Sequence, residues 1–277
     1  MADTITIDRP LTWQEIAAVA KGATLSLSDA AWQRIAKARA IADALVEKRV
    51  RGYGINTGVG ALCDVIVDIP QQQALSRNIL LSHSCGVGEP LGREETRAIM
   101  AAQINNFAHG YSGVQVKTVE ALLALLNGDI LPVIPSKGSV GYLTHAAAIG
   151  LLLIGEGEAR HGSELISGRQ GLEKLGLEPM VLQAKEGLSL VNGTPCATGL
   201  ASLALARTTS LIDWADAAAA MSYENLGAQA DPFAAEPLAL RATGPRRQSN
   251  FCRCCAASTQ SPCSSSTATR TNSSIST

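Results

Sequence analysis

Four short stretches place chemically active residue types among glycines. The first is Tyr53-Gly54-Ile55-Asn56-Thr57-Gly58-Val59-Gly60. Its three glycines let the backbone take positive φ and come close to a ligand. A phenol at the edge of such a loop can move a proton as acid or base. A tight turn with a surface tyrosine fits the same residues. The dinucleotide-binding pattern does not, because no strand leads into the loop and the glycine spacing differs.

The second stretch is Leu81-Ser82-His83-Ser84-Cys85-Gly86-Val87-Gly88-Glu89-Pro90. His83 stands where a helix gives way to glycine-rich chain, a position suited to bonding the last carbonyls. Cys85 beside it suggests a Cys–His nucleophile, but residues this close on a helix do not face each other. The third stretch runs from Ser136 to His145, with Gly138, Ser139 and Gly141 forming a small-residue turn. That turn feeds the start of an apolar helix, whose free N–H groups suit an anion. His145 reads as a hydrogen-bonded core histidine in the helix's first turns. The fourth stretch is Lys185-Glu186-Gly187-Leu188-Ser189-Leu190-Val191-Asn192-Gly193-Thr194. Asn192 precedes a long helix, where its amide would serve as a cap or be offered to a ligand.

The elements that must hold these stretches are mostly helices. Thr12 and Glu15 spell a capping box for a short amphipathic helix. Residues 28–48 read as a second helix, with Ala31, Ile35, Ala38, Ile41 and Leu45 on one stripe. Further helices are expected over 71–81, 92–106, 116–126, 143–158 and 193–223, with a hairpin and a short helix over 160–179. The 143–158 helix is apolar on nearly every side and reads as buried. Residues 52–60 hold too much glycine for a regular element. The fold class is therefore mainly α, with the chemistry carried by loops.

Composition excludes several functions. The chain has 277 residues, 46% hydrophobic and 17% charged, enough for a sizeable core. With 23 basic and 24 acidic residues the net charge is −1, which argues against nucleic-acid or membrane-surface partners. No stretch approaches the ~20 uncharged apolar residues of a membrane span. The N-terminus lacks the pattern of a secretory signal, so the expected location is cytoplasmic. An odd count of 7 cysteines speaks against a disulfide framework, and the cluster Cys252, Cys254, Cys255 and Cys263 fits no common zinc spacing, so no metal is expected. After Arg241 there is no acidic residue, and Ser, Thr and Cys fill 17 of the last 27 positions. Residues 246–277 thus read as a low-complexity tail, disordered or out of frame, behind a body spanning 1–245.

Taken in order, YGINTGVG, LSHSCGVGEP, KGSVG, LIGEGEA (153–159) and KEGLSLVNGT resemble the aromatic amino-acid ammonia-lyase family, its histidine-acting branch in particular. The resemblance covers residues 5 to about 245. It implies the N-terminal portion of a helical ammonia-lyase-like fold, a homotetramer, and elimination of ammonia from a small amino acid, histidine to urocanate or a related aromatic one. It casts Tyr53 as the base that removes the β-proton. It gives His83 the side-chain contact of the Ser82-His83 selectivity pair, and Asn192 a hydrogen bond to the substrate or electrophile. The family needs no external cofactor. Its electrophile is a 4-methylidene-imidazol-5-one ring made from an internal Ala-Ser-Gly.

Two departures accompany the resemblance. Gly141 is followed directly by Tyr142-Leu143-Thr144-His145, and no Ala-Ser-Gly occurs anywhere in the chain. Gly138, Ser139 and Gly141 are then the remnant of the electrophile loop. The chain also ends before the second-half residues that complete the family's site. As written it is expected to be inactive. Two readings stand: a piece of an ammonia-lyase, or a non-catalytic relative that binds an amino acid or assembles with an active paralogue.

Overall fold

A computed structural model describes residues 3–139, 143–229 and Leu240. The chain divides into two compact units, Met1–Ala206 and Arg207–Thr277. The boundary expected at 245 and the tail beyond it lie outside the described residues, as does Gly141.

The first unit opens with β1 (Thr4–Ile7), α1 (Trp13–Lys21) and β2 (Thr24–Leu27). β1 and β2 pair in parallel, which needs a crossover, and α1 is that crossover. Thr12 and Glu15 form the expected capping box at the head of α1. β2 has a second neighbour that is not a strand. The Asn127 side chain accepts from Leu25 N at 2.9 Å and donates to Leu25 O at 2.8 Å. α2 (Asp29–Glu47) follows, capped by the Ser28 hydroxyl on Ala31 N–H. Next come α3 (Ile69–His83), β3 (Val87–Pro90), α4 (Arg93–Ala108) and α5 (Val116–Asn127). α4 buries residues on nearly every side and is the central helix of the unit.

The chain then makes β4 (Ile130–Pro132), β5 (Pro135–Lys137) and α6 (Leu143–Leu153). After these come β6 (Glu158–His161), β7 (Glu164–Ser167), α7 (Gly168–Glu173), α8 (Glu186–Val191) and α9 (Pro195–Asn225), the last of which crosses into the second unit. β3 pairs with β5, while β4, β6 and β7 form one antiparallel sheet. The expected hairpin and short helix are β6–β7 and α7, the helix closed by a Ser167–Gln170 capping box.

Three expectations need correction. The buried helix stops at Leu153 rather than 158, because Gly155 and Gly157 turn the chain with φ of 77° and 66° and residues 158–161 join the sheet. The last helix begins at Pro195, and the stretch before it holds a separate helix, α8. By length and composition alone, Glu186–Asn225 does contain an 18-residue window as apolar as a membrane-crossing helix needs, with a mean hydropathy of 1.2. It is nevertheless broken in two where Asn192 is extended (ψ 155°) and Gly193 takes φ 106°.

One buried cation ties the first unit together. Arg97, on α4, is 2% exposed. Its guanidinium donates to Val19 O (2.9 Å), Ala23 O (2.9 Å), Leu126 O (2.6 Å) and Asp129 Oδ1 (3.0 Å). Val19 and Leu126 lie in the last turns of α1 and α5, whose partially negative ends favour a cation. Asp129 is held in a left-handed conformation (φ 54°) and is also bonded by Arg93 at 2.9 Å. Burial works against its charge, but Arg93 and Arg97 outweigh that and keep its carboxyl below the usual range. Arg97→Met would leave Asp129 and three carbonyls without this donor. It is expected to cost about 3–5 kcal/mol in urea unfolding.

Candidate active site

The Tyr53 loop holds itself in shape. Asn56 accepts from Gly52 N (2.9 Å) and donates to Val50 O (3.0 Å), while Thr57 Oγ1 accepts from Gly54 N (3.1 Å). Both side chains are buried, so they act as struts between turns of backbone. The Gly60 N–H donates to Tyr53 Oη at 3.1 Å, closing the loop onto its own phenol. Tyr53 remains 55% exposed, and its ring is open to a ligand.

His83 is the last residue of α3 and half-buried. Its Nδ1 lies 2.8 Å from Ile79 O. A carbonyl only accepts, so Nδ1 donates in this bond, with Ser82 Oγ also 3.1 Å away; in the neutral ring Nε2 is then the acceptor. The expected partnership with a helix-end carbonyl is present, and it also selects the tautomer. Cys85 is exposed, and among the described residues no hydrogen bond joins it to His83.

Gly138 follows β5 at φ 95°, and a Cβ there would stand 3.5 Å from Cys85 O and Gly86 Cα. The hydroxyl of Ser139 is buried without a hydrogen-bond partner. His145 is buried in the first turn of α6, but its Nδ1 has no partner, contrary to the expected hydrogen-bonded histidine. Burial pushes its imidazole below the ordinary value of 6.5.

Asn192 is exposed and stands at the C-terminal end of α8. The expected role as cap of the long helix is incorrect, because that helix starts three residues later. A Cβ on Gly193 would lie 3.4 Å from Asn106 Nδ2 on α4, so the Asn192 turn abuts that helix.

The element these parts share is α8, a helix that the sequence pattern did not announce. Its first residue, Glu186, is fully buried. It accepts from Gln115 N (2.9 Å), the Gln115 side chain, Thr118 Oγ1 (2.6 Å) and Gln183 N (2.8 Å). Lys185 donates to Ser112 O and to Ser189 Oγ (3.0 Å), and burial, then nearby Arg39, lowers its ammonium below the ordinary value. A Cβ on Gly187 would overlap the Ser76 backbone, so α8 and α3 cross in direct backbone contact. A Cβ on Gly54 would overlap Leu188 Cδ2, which places the Tyr53 loop on the same helix. The structure thus brings the loop of Tyr53, the helix of His83 and the turn of Asn192 to one short element. Among the described residues it makes no hydrogen bond between the three side chains. Nor do those residues include any group of three His, Cys, Asp or Glu able to hold a metal.

Two measurements check this arrangement. Glu186→Ala strands several buried donors and is expected to lower stability by about 3 kcal/mol in urea unfolding. For His145, the folded state resists the proton that the unfolded state accepts. Its contribution is therefore complete above pH 6.5 and is lost as pH falls through that value toward the lower folded one. A His145→Gln variant, titrated alongside, should lose less stability between pH 7 and pH 5 (about the span in which histidine titrates).

Residues 11–259 match the aromatic amino acid lyase family. The chain is 43% identical over 230 residues to the histidine ammonia-lyase of Myxococcus xanthus, covering 82% of this chain and 45% of that protein. Among solved structures it resembles histidine ammonia-lyase from Trypanosoma cruzi, with TM-score 0.83, 34% identity, 90% of this chain and 50% of that one. It also resembles tyrosine aminomutase from Streptomyces globisporus, with TM-score 0.85, 33% identity, 90% of this chain and 48% of that one. The chain spans about half the length of the relatives it matches. With the fold, the five ordered stretches and these similarities in agreement, the chain belongs to the aromatic amino acid lyase family.

Proposed function

We propose that this chain supplies the N-terminal half of a site that eliminates ammonia from an aromatic α-amino acid, histidine first. The observation that carries the reading is the Tyr53 loop, with its exposed phenol oxygen fixed by the Gly60 N–H. In this reading Tyr53 removes the β-proton, and the electron pair left on the β-carbon expels the amine from the neighbouring carbon. In its neutral form His83 presents Nε2 as an acceptor, which suits a side chain that carries a donor at its tip, such as an imidazole N–H or a phenol O–H. Asn192, exposed at the end of α8, offers an amide to the substrate's polar groups. In this reading the protein acts in the cytoplasm, as its N-terminal sequence suggests, and assembles as a homotetramer, as the family resemblance implies.

The family's electrophile is made from the chain itself, and the residues present do not fit it. Only residues 138–142 join β5 to α6, and they read Gly-Ser-Val-Gly-Tyr. Ser139 belongs to the Gly-Ser-Val-Gly turn that precedes the ring-forming tripeptide in the family pattern, and Tyr142 follows Gly141 where that tripeptide would begin. No step is therefore routed through a ring. This mismatch favours the second reading, a relative that binds an amino acid, or assembles with an active paralogue, without turning it over.

The two readings separate in one experiment. Purified protein is given histidine, and both bound histidine (by calorimetry) and urocanate (by absorbance) are followed. Urocanate that disappears in Tyr53→Phe, with a fall of about 10²-fold or more, supports elimination with Tyr53 as base. Binding without urocanate supports the second reading. Neither binding nor product excludes histidine as the ligand.

A further inference from the structure

The Tyr53 loop is internally braced, so its place in the molecule depends on what it rests against. One of its residues touches α8, and a second faces a cavity beside the residue that precedes it. Gly54, at φ 61°, lies so close to Leu188 that a single added methyl would overlap Cδ2. Ile55 is 8% exposed and lines a cavity of about 240 Å³ together with Ala38, Ala42, Leu45 and Lys185. Leu188 is itself packed against the main core. It stands one turn after Lys185 and one turn before Asn192, on a helix pinned at its head by Glu186.

We infer that Leu188 is the positioning residue for Tyr53: its isobutyl group is the seat that sets where the braced loop, and with it the phenol, lies relative to α8. Because Asn192 ends the same helix, the seat fixes the spacing between base and amide. The inference rests on the reading of Tyr53 as the base, but its test needs no turnover. Truncating the seat removes the loop's support while leaving the loop's own hydrogen bonds and the Glu186 anchor in place.

The test is amide hydrogen exchange read by mass spectrometry on the chain as it stands and on Leu188→Ala and Leu188→Met. In Leu188→Ala, peptides covering residues 52–60 are expected to exchange about tenfold faster, while α4 and α5 keep their protection. Leu188→Met restores the reach of the side chain and is expected to restore protection of 52–60. Unchanged exchange of 52–60 in Leu188→Ala overturns the inference. If that variant also loosens α4 and α5, Leu188→Val, which removes less volume, decides the matter. Faster exchange confined to 52–60 upholds the seat, and exchange there equal to wild type overturns it. Loss of elimination activity alone bears on the role of Tyr53 and not on this contact.

Discussion

A carboxylate with no exposure to water heads a helix of six residues, and the candidate site depends on it. Burying Glu186 is tolerable only because backbone and side-chain donors surround it. Those donors come from the start of α5 and from the turn before α8, so the charge locks α8 to the central helices. A six-residue helix has little stability of its own. Its position is imposed by this anchor, by Lys185 on the Ser112 carbonyl, and by the bare backbone of Gly187 against Ser76. The three candidate parts that this chain carries then stack on α8: a loop at Leu188, a crossing helix at Gly187 and an exposed amide at its far end.

The long helices were legible because their signals are local and redundant. Thr12 with Glu15, and Ser28 ahead of an apolar stripe, each state a start and a face within a few residues. Apart from the β6–β7 hairpin, the strands were not legible. Each has only three or four residues, too few for an alternating pattern to stand out. α8 failed for the opposite reason. Its length is below what periodicity can register, and its buried positions include Glu186 and Ser189, which a polarity pattern assigns to the surface.

The site residues divide in the same way. Tyr53 and His83 are candidates by type and setting, and the structure adds the bonds around them: Gly60 N–H on the phenol, Ile79 O on the imidazole. Asn192 was placed at the wrong helix end because Gly193 and Pro195 admit a break on either side. Arg97 gave no signal, since a lone arginine in a helix reads as solvent-facing until three carbonyls from distant segments converge on it. The same holds for His145, whose burial was legible but whose missing partner was not.

The Asn127 amide on Leu25 has a bearing on self-association. A two-stranded sheet offers open edges, and an open edge is a template on which another chain can lay down a strand. Asn127 takes both backbone groups of Leu25, the donor and the acceptor that an incoming strand would need at the middle of β2. The chain thereby spends one side-chain amide to blunt an adhesive edge, leaving β2 with no ladder to extend toward a neighbouring molecule at that point. Replacing Asn127 would return both backbone groups of Leu25 to that open edge.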